Sequence, residues 1–178
     1  MNLLVTTNKP VFVAVVALVL LAIYSDLRWR KVPNCLTLPA IVLGFFLNFV
    51  GNSWNGLIFA FFGLLVGMGL LMLPYILGGM GGGDVKFMGA LGAMLGSYSV
   101  LNIFLYTSFV GGAIAIVVAI TNRSLVEMLK KVWLLLKCIF LFRAPLAGAG
   151  LFKKSLEIPY GLAIGAGVFI YLIAGKIV

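Results

Sequence analysis

Residues 56–77 of the sequence read GLIFAFFGLLVGMGLLMLPYIL, a stretch without a single charged side chain. A transmembrane helix needs about 20 mostly apolar residues, so this stretch is long enough to cross a bilayer. The rest of the chain has the same character, because 63% of its 178 residues are hydrophobic and only 10% are charged. Soluble domains are about half apolar and about a quarter charged. The composition therefore predicts a protein whose solvent is the lipid bilayer.

Five further apolar runs flank this stretch, at residues 10–25, 35–51, 85–97, 100–120 and 157–176. Together the runs predict an all-α integral membrane protein with six transmembrane helices. The spans use most of the chain, so we expect one membrane-embedded domain over residues 1–178. The first run lacks a small-residue cleavage site and ends at a basic cluster, and we expect it to be a retained span rather than a signal peptide.

One more run, at residues 124–142, is interrupted by charged side chains. Its Glu127, Lys130, Lys131 and Lys137 share one stripe of a helix, and most of its other side chains are apolar. This pattern is typical of an amphipathic helix that lies in the membrane interface with its lysines toward the headgroups. We predict a cytoplasmic interfacial helix here, and a buried seventh span is the alternative.

The basic residues are distributed asymmetrically between the predicted loops. Eleven of the 13 Lys and Arg residues fall in three segments on one side of a six-span topology, residues 26–34, 78–86 and 121–156. Only Lys9 and Lys176 remain on the other side. Because basic loops stay in the cytoplasm, both termini are predicted outside, in a multi-pass protein of the inner (cytoplasmic) membrane. This orientation, with contacts to membrane lipids, explains the net charge of +9 without a nucleic-acid partner.

The residue types that are missing exclude several catalytic classes. The chain has no histidine, which excludes zinc proteases with an HExxH motif and nucleophiles activated by histidine. The two cysteines, Cys35 and Cys138, are too few for a zinc site of their own. We expect no metal and no cofactor. Chemistry is left to the four acidic residues of the chain.

Two of these acids, Asp26 and Asp84, fall at the same predicted depth, at the cytoplasmic ends of the first and fourth spans. A six-helix bundle can place these two ends side by side. Each aspartate also has an ordinary explanation. Asp26 can be a juxtamembrane charge paired with Arg28 or Arg30, and Asp84 can be the N-cap of the fourth span. Taken singly, the ordinary explanations are the better ones.

The segment before Asp84 favours a functional role for this residue. Residues 78–83 contain five glycines in six positions. Glycine lets the backbone approach another chain closely, so Gly81, Gly82 and Gly83 are candidate substrate-binding residues. The span that follows is too short for a hydrocarbon core of about 30 Å, and short glycine-interrupted segments are typical of binding sites in membrane proteins.

Three motifs along the chain resemble the prepilin peptidases among the GxGD membrane aspartyl proteases. GGGD at residues 81–84 matches the GxGD motif. DLRWRKVPN at residues 26–34 is similar to the first catalytic aspartate of the family with its basic turn, and IPYG at residues 158–161 is similar to the start of the last span. The chain is identified as a member of this family, in the short single-domain form found with Tad/Flp-type pili.

The resemblance implies that Asp26 and Asp84 are the catalytic residues of an aspartic endopeptidase. Its substrate would be a prepilin or pseudopilin, cleaved behind a basic leader at the cytoplasmic face of the membrane. Two carboxyl groups about 3 Å apart share one proton, so that one is the general base and the other the acid. The helix dipole at Asp84 favours this residue as the ionised member. The N-terminal methylation region of longer relatives is not found in this sequence, so we expect no methyltransferase activity.

Two other classes of function remain as alternatives. A small transporter or channel could use the aspartate pair as a proton or cation site, and a structural protein of a pilus machine could have no activity. A transporter is expected to show inverted repeats and polar groups deep in several spans, and the sequence gives neither signal.

The remaining polar residues of these motifs have ordinary explanations. Lys86 is explained by membrane anchoring, Asn34 by capping of the second span, and Tyr160 by packing of the last span against the site. Because two ionised carboxylates repel each other, we expect the substrate-free pair to be more than a hydrogen bond apart and the segment 78–83 to be mobile.

Overall fold

The computed structural model describes residues 9–29, 31–76, 80–121 and 160–175. These residues form four helices, α1 (Lys9–Trp29), α2 (Asn34–Ile76), α3 (Gly82–Thr121) and α4 (Tyr160–Ala174). No strand occurs among them, which confirms the all-helical prediction. Three of the helices are long and apolar enough to cross a membrane, and α4 is a shorter apolar helix. The interfacial helix predicted at 124–142 lies outside the described residues.

Large apolar side chains cover the outer surface of the bundle. Val50, Phe109 and Ile173 are 69%, 73% and 87% exposed. A soluble protein rarely exposes apolar patches of this extent, whereas in a bilayer such side chains contact the acyl chains. The surface therefore agrees with the composition in indicating a membrane protein.

A sharp break divides α2 into two segments, α2a (residues 34–51) and α2b (residues 54–76). At the break, Asn52 has φ −137° and ψ 16°, and Ser53 has φ 53° and ψ −132°. The positive φ of Ser53 is a conformation that residues other than glycine adopt only rarely. The break coincides with the polar loop that the sequence places between the second and third apolar runs.

A second break divides α3 into α3a (residues 82–95) and α3b (residues 97–121). Gly96 is the break, with φ 84° and ψ 169°, a region of backbone conformation that is open to glycine and strained for other residues. A Cβ at this position would also collide with the ring of Phe59 in α2b. Both the backbone angles and the space thus require glycine.

Contacts between the segments define two ends of the bundle. At the near end, the carbonyl of Val32, just before α2a, contacts Gly83 in α3a, and the ring of Tyr75 in α2b packs on Gly82. At the far end, Phe59 packs on Gly96. It follows that α2a, α2b and α3a each run the full distance between the two ends, and that each break reverses the direction of the chain.

The last two segments are also antiparallel. In α3b, Thr107 contacts Gly167 of α4, and four residues later Gly111 lies beside Ala163, with 3.8 Å between the Ala163 Cβ and the place of a Cβ on Gly111. Residue numbers along α3b therefore increase in the direction in which those along α4 decrease. α4 therefore starts at the near end, which is where α1 ends.

Glycines bring α2b and α3a into direct backbone contact. A Cβ on Gly63 would collide with the carbonyl of Gly92, and a Cβ on Gly92 would collide with the carbonyl of Gly63. One turn away, a Cβ on Gly67 would collide with the carbonyl of Met88. Membrane helices associate through such small residues because lipid tails leave no hydrophobic driving force between helices.

Asn48 closes the gap that the Gly96 break leaves in the hydrogen bonding of α3. Its buried amide nitrogen lies 3.0 Å from the carbonyl oxygens of Gly44 and Ala93 and 3.3 Å from that of Met94. The carbonyls of Ala93 and Met94 stand at the end of α3a, where the helix offers no further N–H partners. Asn48 therefore links α2a to the end of α3a.

Asn48→Leu is expected to destabilise the protein by about 2 kcal/mol, because buried carbonyls lose their donor. The measurement is a reversible unfolding titration with sodium dodecyl sulfate in mixed micelles. Asn55→Leu is the matched control, since Asn55 is exposed beside the break in α2. Equal stability of the two variants would show that the Asn48 contacts contribute nothing.

Candidate active site

Asp26 is a buried residue near the end of α1, with 3% of its surface exposed. Its Oδ2 accepts a hydrogen bond of 3.0 Å from the backbone N–H of Leu162, and the backbone N–H of Gly161 also donates to the carboxylate. Both donors lie in the first turn of α4, where N–H groups have no partner within the helix. The N-terminal end of a helix dipole also favours a negative charge. α4 therefore supplies the bonding partners of Asp26.

Arg28, the basic residue nearest to Asp26 in sequence, has a different contact. Its guanidinium lies over the ring of Trp29, 5.6 Å from its centroid, in a cation–π contact. The predicted pairing of Asp26 with Arg28 is not found among the described residues, where the buried carboxylate bonds to α4 instead. A pairing with Arg30 lies outside the described residues.

Asp84 lies in the first turn of α3, where it stabilises the start of the helix. The backbone N–H of Gly81 donates to its carboxylate, and its own N–H donates to the carbonyl of Gly81 at 3.1 Å. The bond from the Gly81 N–H to the Asp84 carboxylate is the half of a capping box in which the third residue of the helix bonds back to the N-cap. The sequence predicted Asp84 as the N-cap itself, but Gly81 holds that position and Asp84 acts from within the first turn.

The two aspartates meet at the near end of the bundle. Asp26 comes from α1 and Asp84 from α3, and their carboxyl groups are close enough for the charge of one to act on the other. Among the described residues, no hydrogen bond joins these two carboxyl groups. Two neighbouring carboxylates repel each other, so ionisation of one disfavours ionisation of the other.

The glycines before Asp84 have different neighbours. The carbonyl of Val32 fills the space beside Gly83, so the glycine brings the start of α3 against the connection between α1 and α2. A hydrogen bond of 2.9 Å from the Ser25 hydroxyl to the carbonyl of Lys31 fixes this connection on α1. Gly83 thus positions Asp84 relative to α1.

The other two glycines are less enclosed. The ring of Tyr75 lies beside Gly82, with its Cε2 3.4 Å from the place of a Cβ. Gly81 is exposed, and the nearest atom to the place of its Cβ is Oδ2 of Asp84, at 3.2 Å. Of the three glycines, Gly81 is therefore the one with an exposed surface directly beside a carboxylate.

Lys86 is part of the frame of the site. Its Nζ donates a hydrogen bond of 2.9 Å to Oδ1 of Asn34, which joins α3 to the start of α2. The prediction that Asn34 caps α2 is wrong. The carbonyl of Pro33 accepts from the N–H of Thr37 at 3.3 Å and so begins the helix, while the Asn34 side chain holds Lys86.

The first turn of α4 contributes more to the site than packing. Tyr160 lies near Asp84, and the next two residues, Gly161 and Leu162, bond to Asp26. The sequence assigned Tyr160 to packing of the last span against the site. The resemblance of residues 158–161 to a family motif marked this segment, but it did not show that its backbone N–H groups bond to Asp26.

Metal ligands are not grouped in the described part of the chain. No cluster of three or more His, Cys, Asp or Glu side chains occurs within residues 9–29, 31–76, 80–121 and 160–175. Among these residues, the candidate groups for catalysis are the carboxyl groups of Asp26 and Asp84.

The described residues thus form an all-helical membrane bundle with two neighbouring carboxyl groups at one end. In the comparison with protein families, the sequence profile of the type IV leader peptidase family matches residues 13–116. This is more than half of the chain, and the chain belongs to the type IV leader peptidase family. The matched region contains Asp26 and Asp84 and ends before α4. No curated protein and no solved structure matches the chain.

Proposed function

We propose that this protein is an aspartic endopeptidase that removes the basic leader from prepilin-like proteins at the cytoplasmic face of the membrane. One observation carries the proposal: Asp26 and Asp84, which lie on different helices within the family match, interact at one end of the bundle. A leader peptidase family implies a substrate of the prepilin type in general. The aspartic mechanism and the position of the cut belong to the proposal.

The proposed reaction is hydrolysis by a carboxyl pair. One carboxylate removes a proton from water as the water oxygen attacks the scissile carbonyl carbon, and the protonated carboxyl donates a hydrogen bond to the carbonyl oxygen. The C–N bond then breaks as a proton passes to the leaving amine. The products are a leader with a new carboxyl group and a mature chain with a new amino group. Water is the only co-reactant.

We propose six spans, with the near end of the bundle at the cytoplasmic side. The breaks at Asn52, Ser53 and Gly96 support this count, because they turn two long helices into four antiparallel segments. The excess of basic residues in the loops at the near end supports the orientation. Both termini then lie outside, and the two aspartates face the side on which a leader peptide is made.

Cys35 gives a test of this orientation. It is exposed at the start of α2, close to the near end. In intact cells it should resist a membrane-impermeant thiol reagent, and it should react in inside-out vesicles. Cys138→Ser is the background for this test, so that Cys35 is the one cysteine present. Labelling from outside intact cells would contradict the proposed topology.

The proposed substrate has a short basic leader followed by an apolar helix. The cytoplasmic loops of the enzyme are themselves basic, so the net charge disfavours the leader. We therefore infer that recognition rests on the apolar helix, which packs against the bundle in the membrane, and on backbone contacts near the exposed Gly81. Gly82 and Gly83 then shape the site without contacting the substrate, since Tyr75 and Val32 lie beside them.

The experiment is co-expression with candidate pilins from neighbouring genes, with leader removal scored by gel shift. The expected result is conversion to a shorter, mature pilin that depends on the enzyme. A transporter that uses the aspartate pair is the competing function, and family membership does not favour it. Ion flux in proteoliposomes without cleavage of any candidate would support the competing function instead.

A further inference from the structure

The carboxylate of Asp26 is held by a helix far away in sequence. Its hydrogen bond partner Leu162 is 136 residues along the chain, and the N–H of Gly161 donates to the same carboxylate. Asp84, in contrast, bonds to Gly81 directly before its own helix. The two aspartates therefore differ in what fixes them. A separate helix holds Asp26, while Asp84 depends on the local turn at the start of α3.

We propose that the first turn of α4 is a positioning element that holds Asp26 as the general base of the pair, with Gly161 as its main positioning residue. The inference rests on the proposed function and adds to it which aspartate is the base and which is the acid. Burial disfavours the ionised form of both carboxyl groups, and each lies at a helix N-terminus, but Asp26 has two backbone N–H donors where Asp84 has one, which favours Asp26 as the ionised member. Asp84 then carries the shared proton and acts as the acid, which reverses the expectation from the helix dipole at Asp84 alone.

The position of α4 depends on glycines that face α1. The place of a Cβ on Gly161 lies 3.0 Å from Cβ, Cγ and Oδ2 of Asp26, so even a methyl group there would displace the carboxylate. One turn later, the place of a Cβ on Gly165 lies 2.6 Å from Cδ1 of Ile23. Both glycines are needed for close contact between the helices, but only Gly161 touches an aspartate.

This difference between the two glycines provides a matched pair of variants. Gly165→Ala meets the more crowded position, where the neighbour is the flexible end of an apolar side chain. Gly161→Ala meets the less crowded position, where the neighbour is the carboxyl group of Asp26. Both variants place a methyl group in the contact between α1 and α4, so a loss of activity that arises only from packing should not be confined to Gly161→Ala. A loss that arises from the position of Asp26 should be specific to Gly161→Ala.

The test is the pH dependence of cleavage of a prepilin peptide by purified wild type and both variants. Gly161→Ala is expected to lower kcat about 10- to 100-fold with little change in KM, as is typical for a misplaced catalytic group. The acidic limb of its pH–rate profile should move to higher pH. A carboxylate with weaker N–H donors binds a proton more readily, and the acidic limb reports loss of the general base. Gly165→Ala should keep the wild-type profile.

A second variant covers the case in which Gly161→Ala does not accumulate in the membrane. Leu162→Pro deletes the N–H that donates to Asp26, and proline is tolerated in the first turn of a helix because that N–H has no partner within the helix. The acidic limb should again move to higher pH. If the limb stays in place for the variant that accumulates, or if the basic limb moves instead, the assignment of Asp26 as the base is wrong.

Failure of this inference can be distinguished from failure of the proposed function. Asp26→Asn, measured in the same series, tests whether Asp26 is needed at all. Activity in Asp26→Asn would contradict the aspartic mechanism. An inactive Asp26→Asn together with a wild-type pH profile in Gly161→Ala would leave the mechanism standing and overturn only the role of α4.

Discussion

Asp26→Asn and Asp84→Asn should each lower the rate of leader removal about 100- to 10,000-fold, the range that general acid–base catalysis contributes. Asparagine has nearly the same shape as aspartate but neither accepts nor releases a proton at neutral pH. One carboxyl group cannot fill the roles of base and acid at the same time, so either substitution removes the mechanism. The double variant should be no slower than the slower single variant, because the two groups act as a unit.

The chain offers a control for this prediction in its other two acids. Glu127→Gln and Glu157→Gln remove the same charge, and the mechanism assigns no role to either residue. Both should process the pilin at the wild-type rate. The amount of each variant in the membrane must equal that of wild type before rates are compared. Processing by Asp26→Asn or Asp84→Asn within a few-fold of wild type would end the aspartic mechanism.

Gly63→Ala and Gly92→Ala should each cause a large loss of stability. Each adds a methyl group that collides with the backbone carbonyl of the facing helix, and backbone cannot move aside as a side chain can. Overpacking of this kind costs about 1–3 kcal/mol, and separation of α2b from α3a would also move Asp84. Unfolding in mixed micelles with sodium dodecyl sulfate is the measurement.

Gly69→Ala and Gly112→Ala are the matched controls for these substitutions. No atom lies within 4 Å of the place of a Cβ at either position. Alanine is about 1 kcal/mol more favourable than glycine in a helix, so these controls should equal or exceed the wild type in stability. If all four variants behaved alike, the close contact between α2b and α3a would not be a source of stability.

The sequence was sufficient for those features that depend on local composition. The apolar runs predicted the helices, and the polar residues 51–55 and the segment that starts at Gly96 predicted the two breaks to within a few residues. Asp26 and Asp84 stood out because they are two of only four acidic residues and fall at the same predicted depth. Their proximity followed from assigning both to one side of the membrane.

Contacts between distant helices could not be predicted in this way. α4 has nearly uniform apolar character, and its Gly161 and Gly165 mark a face for close packing without showing which helix meets it. The amide of Asn48 gave no signal either, because its partners are the carbonyls of Ala93 and Met94. Backbone groups are the same at every position, and a sequence cannot show which of them lack a partner.

The roles of the glycines before Asp84 illustrate the same limit. The sequence indicated that Gly81, Gly82 and Gly83 permit a close approach, but it could not show what approaches. Val32 lies beside Gly83 and Tyr75 beside Gly82, so the protein itself makes two of these approaches. Only the exposed Gly81 keeps the interpretation that a substrate backbone lies against it.

The central claim is that the protein hydrolyses a peptide bond between a basic leader and an apolar helix by means of a carboxyl pair. Its most direct test is mass spectrometry of a synthetic prepilin segment after incubation with purified enzyme in proteoliposomes. We predict two products whose masses sum to that of the substrate plus one water, with no mass added to the enzyme, and no products with Asp26→Asn or Asp84→Asn. An intact substrate, a covalent adduct on the enzyme, or the same two products from either aspartate variant would contradict the claim.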